Sequence, residues 1–211
     1  MPNWVNNKLR VEKKYLNQII NNERNIDFNI AIPMPESLNV RSGGTNDSAM
    51  YVYLSNRMAL PLSEVAKIPE SSLISNCFSR RNWLTEIHDR LLNKSKTTEE
   101  IDELYKEGEI LISNFRNYGA MTWYEWHIGN WGCKWNACES KITEIDDNTV
   151  MCSFDTPWSA PDKWLEELAK RNIPFHCEWI EEQGYHGEFI SDGIGKLVEH
   201  DLPMVEWNYE D

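Results

Sequence analysis

An α+β fold, an antiparallel sheet with helices on one face, is predicted by three observations. Several short stretches alternate apolar and polar side chains with a period of two, the mark of half-buried strands. Helical spacing of apolar residues interrupts them, and turn residues separate the pieces. Third, the pieces occur in the order strand, helix, large helical insertion, strand, strand, helix, strand, strand, which mixes both periods in one chain.

The first strand is read over residues 4–12, where Leu9 and Val11 face one way and Lys8 and Arg10 the other. Tyr15, Leu16, Ile19 and Ile20 predict a helix over about residues 13–23. Phe28–Ile32 reads as a short strand ended by Pro33 and Pro35, and Ser42–Ser48 as a loop. Trp83, Leu84, Ile87, Leu91 and Leu92 mark one helix of the insertion. A second follows the capping box Thr97–Glu100, with Ile101, Leu104, Tyr105, Leu111, Ile112 and Phe115 at helical spacing.

Residues 131–142 read as a strand, Asp146–Asn148 as a turn and Thr149–Asp155 as the returning strand, with Val150, Cys152 and Phe154 on one face. Ser159–Asp162 reads as a further capping box, opening a helix that buries Trp164, Leu165 and Leu168 and stops at Asn172 and Pro174. Phe175, Cys177 and Trp179 alternate with His176 and Glu178. Gln183-Gly184 then turns the chain into a hairpin partner over 185–190, which brings His186 toward His176. Val198, Leu202, Val205 and Trp207 predict a C-terminal tail that docks on the body.

With the insertion at residues 25–117 removed, the order is β-α-β-β-α-β plus one added C-terminal strand. This is the ferredoxin-like arrangement, a single domain over 1–211 carrying a mainly helical insertion. The 211 residues are 41% hydrophobic, enough for one core of that size. No apolar run approaches the roughly 18 residues of a membrane span, and the first residues lack a basic-then-apolar signal. Five cysteines without a C-x-x-C pair read as reduced thiols, so a cytoplasmic protein without a disulfide framework is predicted.

The net charge is −13, and it is unevenly placed. Residues 1–138 hold 16 acidic and 16 basic side chains, whereas residues 139–211 hold 18 acidic and 5 basic ones. This balance argues against a grip on phosphate backbones, where lysine and arginine supply most of the affinity. It permits either a solvated acidic face or an acidic surface for a basic partner.

Four motifs are unusual in composition: Met1-Pro-Asn-Trp4, Ile32-Pro-Met-Pro-Glu-Ser-Leu38, Asn130-Trp-Gly-Cys-Lys-Trp-Asn-Ala137 and Phe154-Asp-Thr-Pro-Trp-Ser-Ala-Pro161. They resemble the YubB ferredoxin-like family, small proteins borne by phages, plasmids and genomic islands. Cys133, Asn136, Pro157 and Ala160 depart from that family's pattern. The resemblance implies a ferredoxin-like domain and a mobile-element origin, and it supplies no catalytic residues.

The densest chemistry is aromatic. Trp123, Trp126, Trp131 and Trp135 fall within thirteen positions, and each indole can bury roughly 150–250 Å². They serve either as core plugs or as an aromatic groove rimmed by Asn130, Lys134 and Asn136 that grips a ligand or a partner. Asp155, at a strand-to-helix junction, is either a site carboxylate or a turn residue. The partner-binding candidates are therefore Trp126, Asn130, Trp131, Lys134, Trp135, Asn136 and Asp155.

No catalytic elbow, phosphate loop or metal-ligand spacing stands out, so no catalytic residue, metal or cofactor is assigned. An enzymatic reading would need Asp155, His176 and Glu178 to converge. The function read from the sequence is a non-enzymatic protein-binding module whose acidic surface meets a basic site, in the class of host defence or nucleic-acid-handling proteins. The second reading is single-stranded nucleic-acid binding on the open sheet face through Lys8, Arg10 and Lys134.

Overall fold

A computed structural model describes residues 3–58, with side chains through Tyr53, and residues 97–204. The chain forms two compact units: Met1–Met34 with His127–Asp211, and Pro35–Trp126. Residues 25–34, which the sequence reading assigns to the insertion, belong to the first unit because Ile26 and Phe28 are buried in its core.

The first unit is a six-stranded antiparallel sheet in the order β2-β3-β1-β4-β5-β6. Its strands are β1 (Trp4–Glu12), β2 (Cys138–Glu144), β3 (Thr149–Pro157), β4 (Pro174–Glu181), β5 (His186–Asp192) and β6 (Leu197–Leu202). The four strands β2-β3-β1-β4 are the ferredoxin-like sheet, and β5 and β6 extend it by one strand more than the sequence predicts. The predicted docking tail is in part this last strand, while Val205 and Trp207 lie outside the described residues.

Alternation decides the two faces. Val5, Asn7, Leu9 and Val11 of β1 are buried together with Val150, Cys152 and Phe154 of β3, Phe175 and Cys177 of β4, and Phe189 of β5. The helix Asp162–Lys170 covers this face with Trp164, Leu165, Leu168 and Ala169. Phe28 packs between Trp131 (centroids 5.6 Å), Phe154 (6.0 Å) and Trp164 (4.7 Å). The opposite face is open and carries Asn6, Lys8, Arg10, Ser153, Asp155, His176, Glu178 and Glu188 by register.

Five local expectations are corrected. The helix expected over 13–23 is a 3-10 helix, Lys13–Gln18. It gives way where the Asn21 side-chain oxygen accepts from the backbone N–H groups of Glu23 and Asn25, closing a turn that competes with helix. The strand expected at Phe28–Ile32 is instead a short helix, α1 (Phe28–Ala31), started by the Asp27 side chain accepting from the Asn29 N–H.

The expected loop at Ser42–Ser48 ends early, because α2 (Thr45–Met58) begins inside it. The strand expected over 131–142 begins only at Cys138. A helix, α4 (Trp123–Asn130), precedes it, and an irregular segment turns through Gly132 at φ 87°. Finally, Ser159 does not cap the helix Asp162–Lys170, here α5. Pro161 occupies the N-cap position, and the Ser159 hydroxyl donates to the Gly132 carbonyl at 2.6 Å.

In the second unit, α2 packs on α3 (Thr98–Tyr118). Its core contains Ala49, Met50, Val52, Tyr53, Leu104, Leu111 and Ile112. The predicted capping box is present: the Thr97 hydroxyl accepts from the Glu100 N–H at 3.3 Å, and the Glu100 carboxylate accepts from the Thr97 N–H at 2.9 Å. The helix expected around Trp83–Leu92 lies outside the described residues. No described helix is long and apolar enough to cross a membrane.

Candidate functional site

The residues singled out from the sequence divide into buried supports and a surface pair. Trp126 and Trp131 are buried. The Trp131 indole N–H donates to the Ile32 carbonyl at 3.0 Å, and its ring stacks on His127 with centroids 3.8 Å apart. Burial pushes the His127 pKa down, and its Nδ1 lies 2.8 Å from the Lys134 carbonyl. Asn136 is a clamp: its side-chain oxygen accepts from the Phe28 N–H (2.9 Å) and the Ala137 N–H (3.0 Å), and its amide donates to Asp27 (2.7 Å). Asn130 is half-buried at the end of α4.

Lys134 and Trp135 do meet at the surface, with the Lys134 ammonium 4.8 Å from the Trp135 ring centroid. Trp4 also lies near Trp135, with ring centroids 6.3 Å apart and the planes tilted by 49°. Asp155 accepts from the Asn6 amide at 2.9 Å across β1 and β3, on the open face. Asp155 on β3 is separated by β1 from His176 and Glu178 on β4, the three residues that an enzymatic reading would need to converge, and His176 pairs with Glu188 of β5 at 2.7 Å. His186 lies opposite Ile180 and His176 opposite Ile190, so the two histidines are not cross-strand partners.

Of the basic stripe, Lys8 and Arg10 are exposed on the central strand, whereas Lys134 sits in the irregular segment and not on the sheet. Lys8 is opposite Glu178 on β4, so an acidic residue flanks it directly. The inward cysteines are buried, and burial pushes the Cys152 thiol up to about 12 and raises that of Cys177 as well.

A concavity lies elsewhere. A cavity of about 580 Å³ opens on the helix-bearing face, beside the first residue of α5. Val5, Trp179 and Phe189 form its floor, because the register turns all three toward this face. Trp158, Ser159 and Ala160 form one wall, and Tyr185 of the β4–β5 turn forms another. Asp162, Glu181 and Glu199 supply the charge at its rim.

The wall at Trp158 is held in an unusual way. Trp158 has φ 74°, a left-handed conformation that is strained for a bulky residue, and the residue is 53% exposed. Its N–H donates to the Asn3 carbonyl at 2.8 Å. Beneath it runs a chain of buried hydrogen bonds. The Asn7 amide donates to the Thr156 hydroxyl (2.9 Å), which donates to the Ser159 carbonyl (2.8 Å). Gly132 allows the close approach of this corner, since a Cβ there would collide with the Asp162 carboxylate.

The electrostatics of the rim are one-sided. Burial raises the Glu199 pKa, and the negative charges of Asp201 and Asp162 raise it further. Lys163 offsets this in part, being shared between Asp162 (3.4 Å) and Glu166 (2.8 Å). An aromatic floor and walls under clustered carboxylates make a site that favours positive charge.

Fold and site together define a ferredoxin-like α+β protein with an aromatic, acidic cavity beside the β3–α5 corner. Residues 134–211 match the family described as "Ferredoxin-like domain in Api92-like protein". Over 98% of this chain and 100% of the other, the structure aligns with the crystal structure of a protein api92 from Yersinia pseudotuberculosis, at 10% identity and a TM-score of 0.44. Comparison with curated proteins returned no match.

Sequence reasoning placed attention on Asp155 at the strand-to-helix junction and passed over Trp158, three residues on. The available signal was an aromatic residue between Pro157 and Pro161, in a segment too short to bury it.

Proposed function

We propose that the protein is a non-enzymatic binding module of mobile-element origin that engages a basic segment of a partner protein through the Trp158 cavity. The observation that carries this reading is the cavity itself: an exposed, backbone-strained tryptophan beside Trp179, Tyr185 and Phe189, under the carboxylates of Glu181 and Glu199. The acidic excess of residues 139–211 supports it, because this charge steers a basic partner toward the cavity. The surface group of Lys134, Trp135 and Trp4 adds a second aromatic contact on the sheet unit. A host defence or nucleic-acid-handling protein is the partner class that fits a basic docking segment.

Nucleic-acid binding on the open face is the weaker reading. Lys8 and Arg10 face solvent there, but Glu178 and Glu188 flank them, and a phosphate backbone would meet both signs.

The test is affinity capture from host lysate with the full chain and with Glu181→Lys, which reverses one rim charge at a half-buried position. A partner recovered by the native chain, lost with Glu181→Lys and weakened by salt, fits the proposal. Equal recovery by both chains refutes it.

A further inference from the structure

The geometry points to a guanidinium as the group the Trp158 cavity receives, so that the partner's anchoring residue is an arginine. This inference rests on the binding-module reading and names the occupant of the same cavity. Three features select the group. The walls are flat and aromatic, with Trp158 53% exposed and Tyr185 50% exposed, so planar surfaces remain available for stacking. A guanidinium is planar, stacks on aromatic faces and is more weakly hydrated than an ammonium, so it loses less on entering such a place.

Second, the carboxylates stand on different elements around the opening: Asp162 on α5, Glu181 on β4 and Glu199 on β6. A forked donor can address two of them at once, which a compact ammonium does less well. Third, Asp162, Glu181 and Glu199 are like charges lining one cavity, and a cation placed among them offsets their mutual repulsion, which adds to the attraction. The volume, about 580 Å³, takes a whole arginine side chain together with neighbouring backbone. A single buried anchor of this kind, in an aromatic pocket with a polar rim, is how binding energy concentrates at protein interfaces.

The experiment uses the full chain and three small probes: N-acetyl-arginine amide, the neutral and nearly isosteric N-acetyl-citrulline amide, and N-acetyl-lysine amide. Binding is followed by the indole N–H resonances and intrinsic tryptophan fluorescence. The expected result is saturable perturbation by the arginine probe, with a Kd on the order of 1 mM. Citrulline and lysine probes should bind at least about 5-fold more weakly, since they lack the charge or the fork. Glu181→Gln should weaken the arginine probe by about 5-fold or more. Trp158→Gly, which also relaxes the backbone at φ 74°, should abolish the perturbation.

No saturable response to arginine, citrulline or lysine binding as tightly as arginine, or an unaltered response in both variants would each overturn the inference. The two proposals fail separately. If Glu181→Lys abolishes partner capture while the arginine probe shows no preference, the cavity remains the docking site and only the guanidinium assignment falls.

Discussion

The side-chain amide of Asn7 donates to the hydroxyl of Thr156 at 2.9 Å, across the β1–β3 pair and wholly inside the protein. That hydroxyl donates in turn to the Ser159 carbonyl, so a central strand and the β3–α5 corner share one hydrogen-bonded chain. The strained turn at Trp158 is suspended between these two anchors.

Replacing Thr156 by valine keeps the shape and removes the hydroxyl. The Ser159 carbonyl then loses the Thr156 donor, while the Asn7 amide keeps the Val5 and Phe154 carbonyls, and the expected cost is about 1 kcal/mol in denaturant unfolding. The corner should also loosen, so the arginine probe should bind more weakly to Thr156→Val even under conditions where the variant is fully folded.

His127 stacks nearly parallel on Trp131, at 18° between planes, and burial lowers its pKa. The folded state therefore prefers the neutral ring, while the unfolded chain takes up a proton near the ordinary value of about 6.5. Stability from this group is complete above that value and falls as the pH drops through it toward the lower folded pKa. Urea midpoints at pH 7.5 and 5.5 should differ for the native chain, and His127→Phe should narrow the difference.

Glu188 lies between two imidazoles, His200 Nδ1 at 3.0 Å and His176 Nε2 at 2.7 Å. Its pKa is lowered, first by the hydrogen bond from His200 and then by that from His176. The contribution of this carboxylate to stability is present above its unfolded value of about 4.3 and is lost as the pH falls through the lower folded value. Carbon-detected NMR titration should show Glu188 ionising below an ordinary glutamate. The double variant His176→Ala/His200→Ala should move it upward.

In the helical unit, α2 and α3 approach so closely at Gly108 that a Cβ would strike the Ala49 carbonyl. Gly108→Ala gains helix propensity but overpacks this contact, and the net result expected is a loss of about 1–3 kcal/mol. Thermal unfolding followed by circular dichroism checks it, and an increase in Tm would contradict the close packing.

Much of the sheet is legible in the sequence. The alternation around Leu9 and Val11, and around Val150, Cys152 and Phe154, names the buried face correctly because a strand's side chains alternate regardless of their neighbours. The Thr97 capping box was equally local and equally legible. Short apolar runs were not. Phe28–Ala31 is helical because Asp27 caps it and Asn136, 108 residues away, accepts from its first N–H. Trp131 and Trp135 look alike in sequence, yet one is buried beneath His127 and the other lies at the surface under Lys134.

Residue type and spacing by themselves determined the α+β class, the ferredoxin-like order of elements and the acidic bias of the last third, since each depends on periodicity or composition along the chain. The cavity was decided only by tertiary structure. Its walls come from β1, the Gly132 turn, the β3–α5 corner, the β4–β5 hairpin and β6, segments separated by up to nearly the whole chain. No local pattern encodes which distant aromatic rings and carboxylates will converge, because that depends on strand order and register and on one tryptophan held at a positive φ.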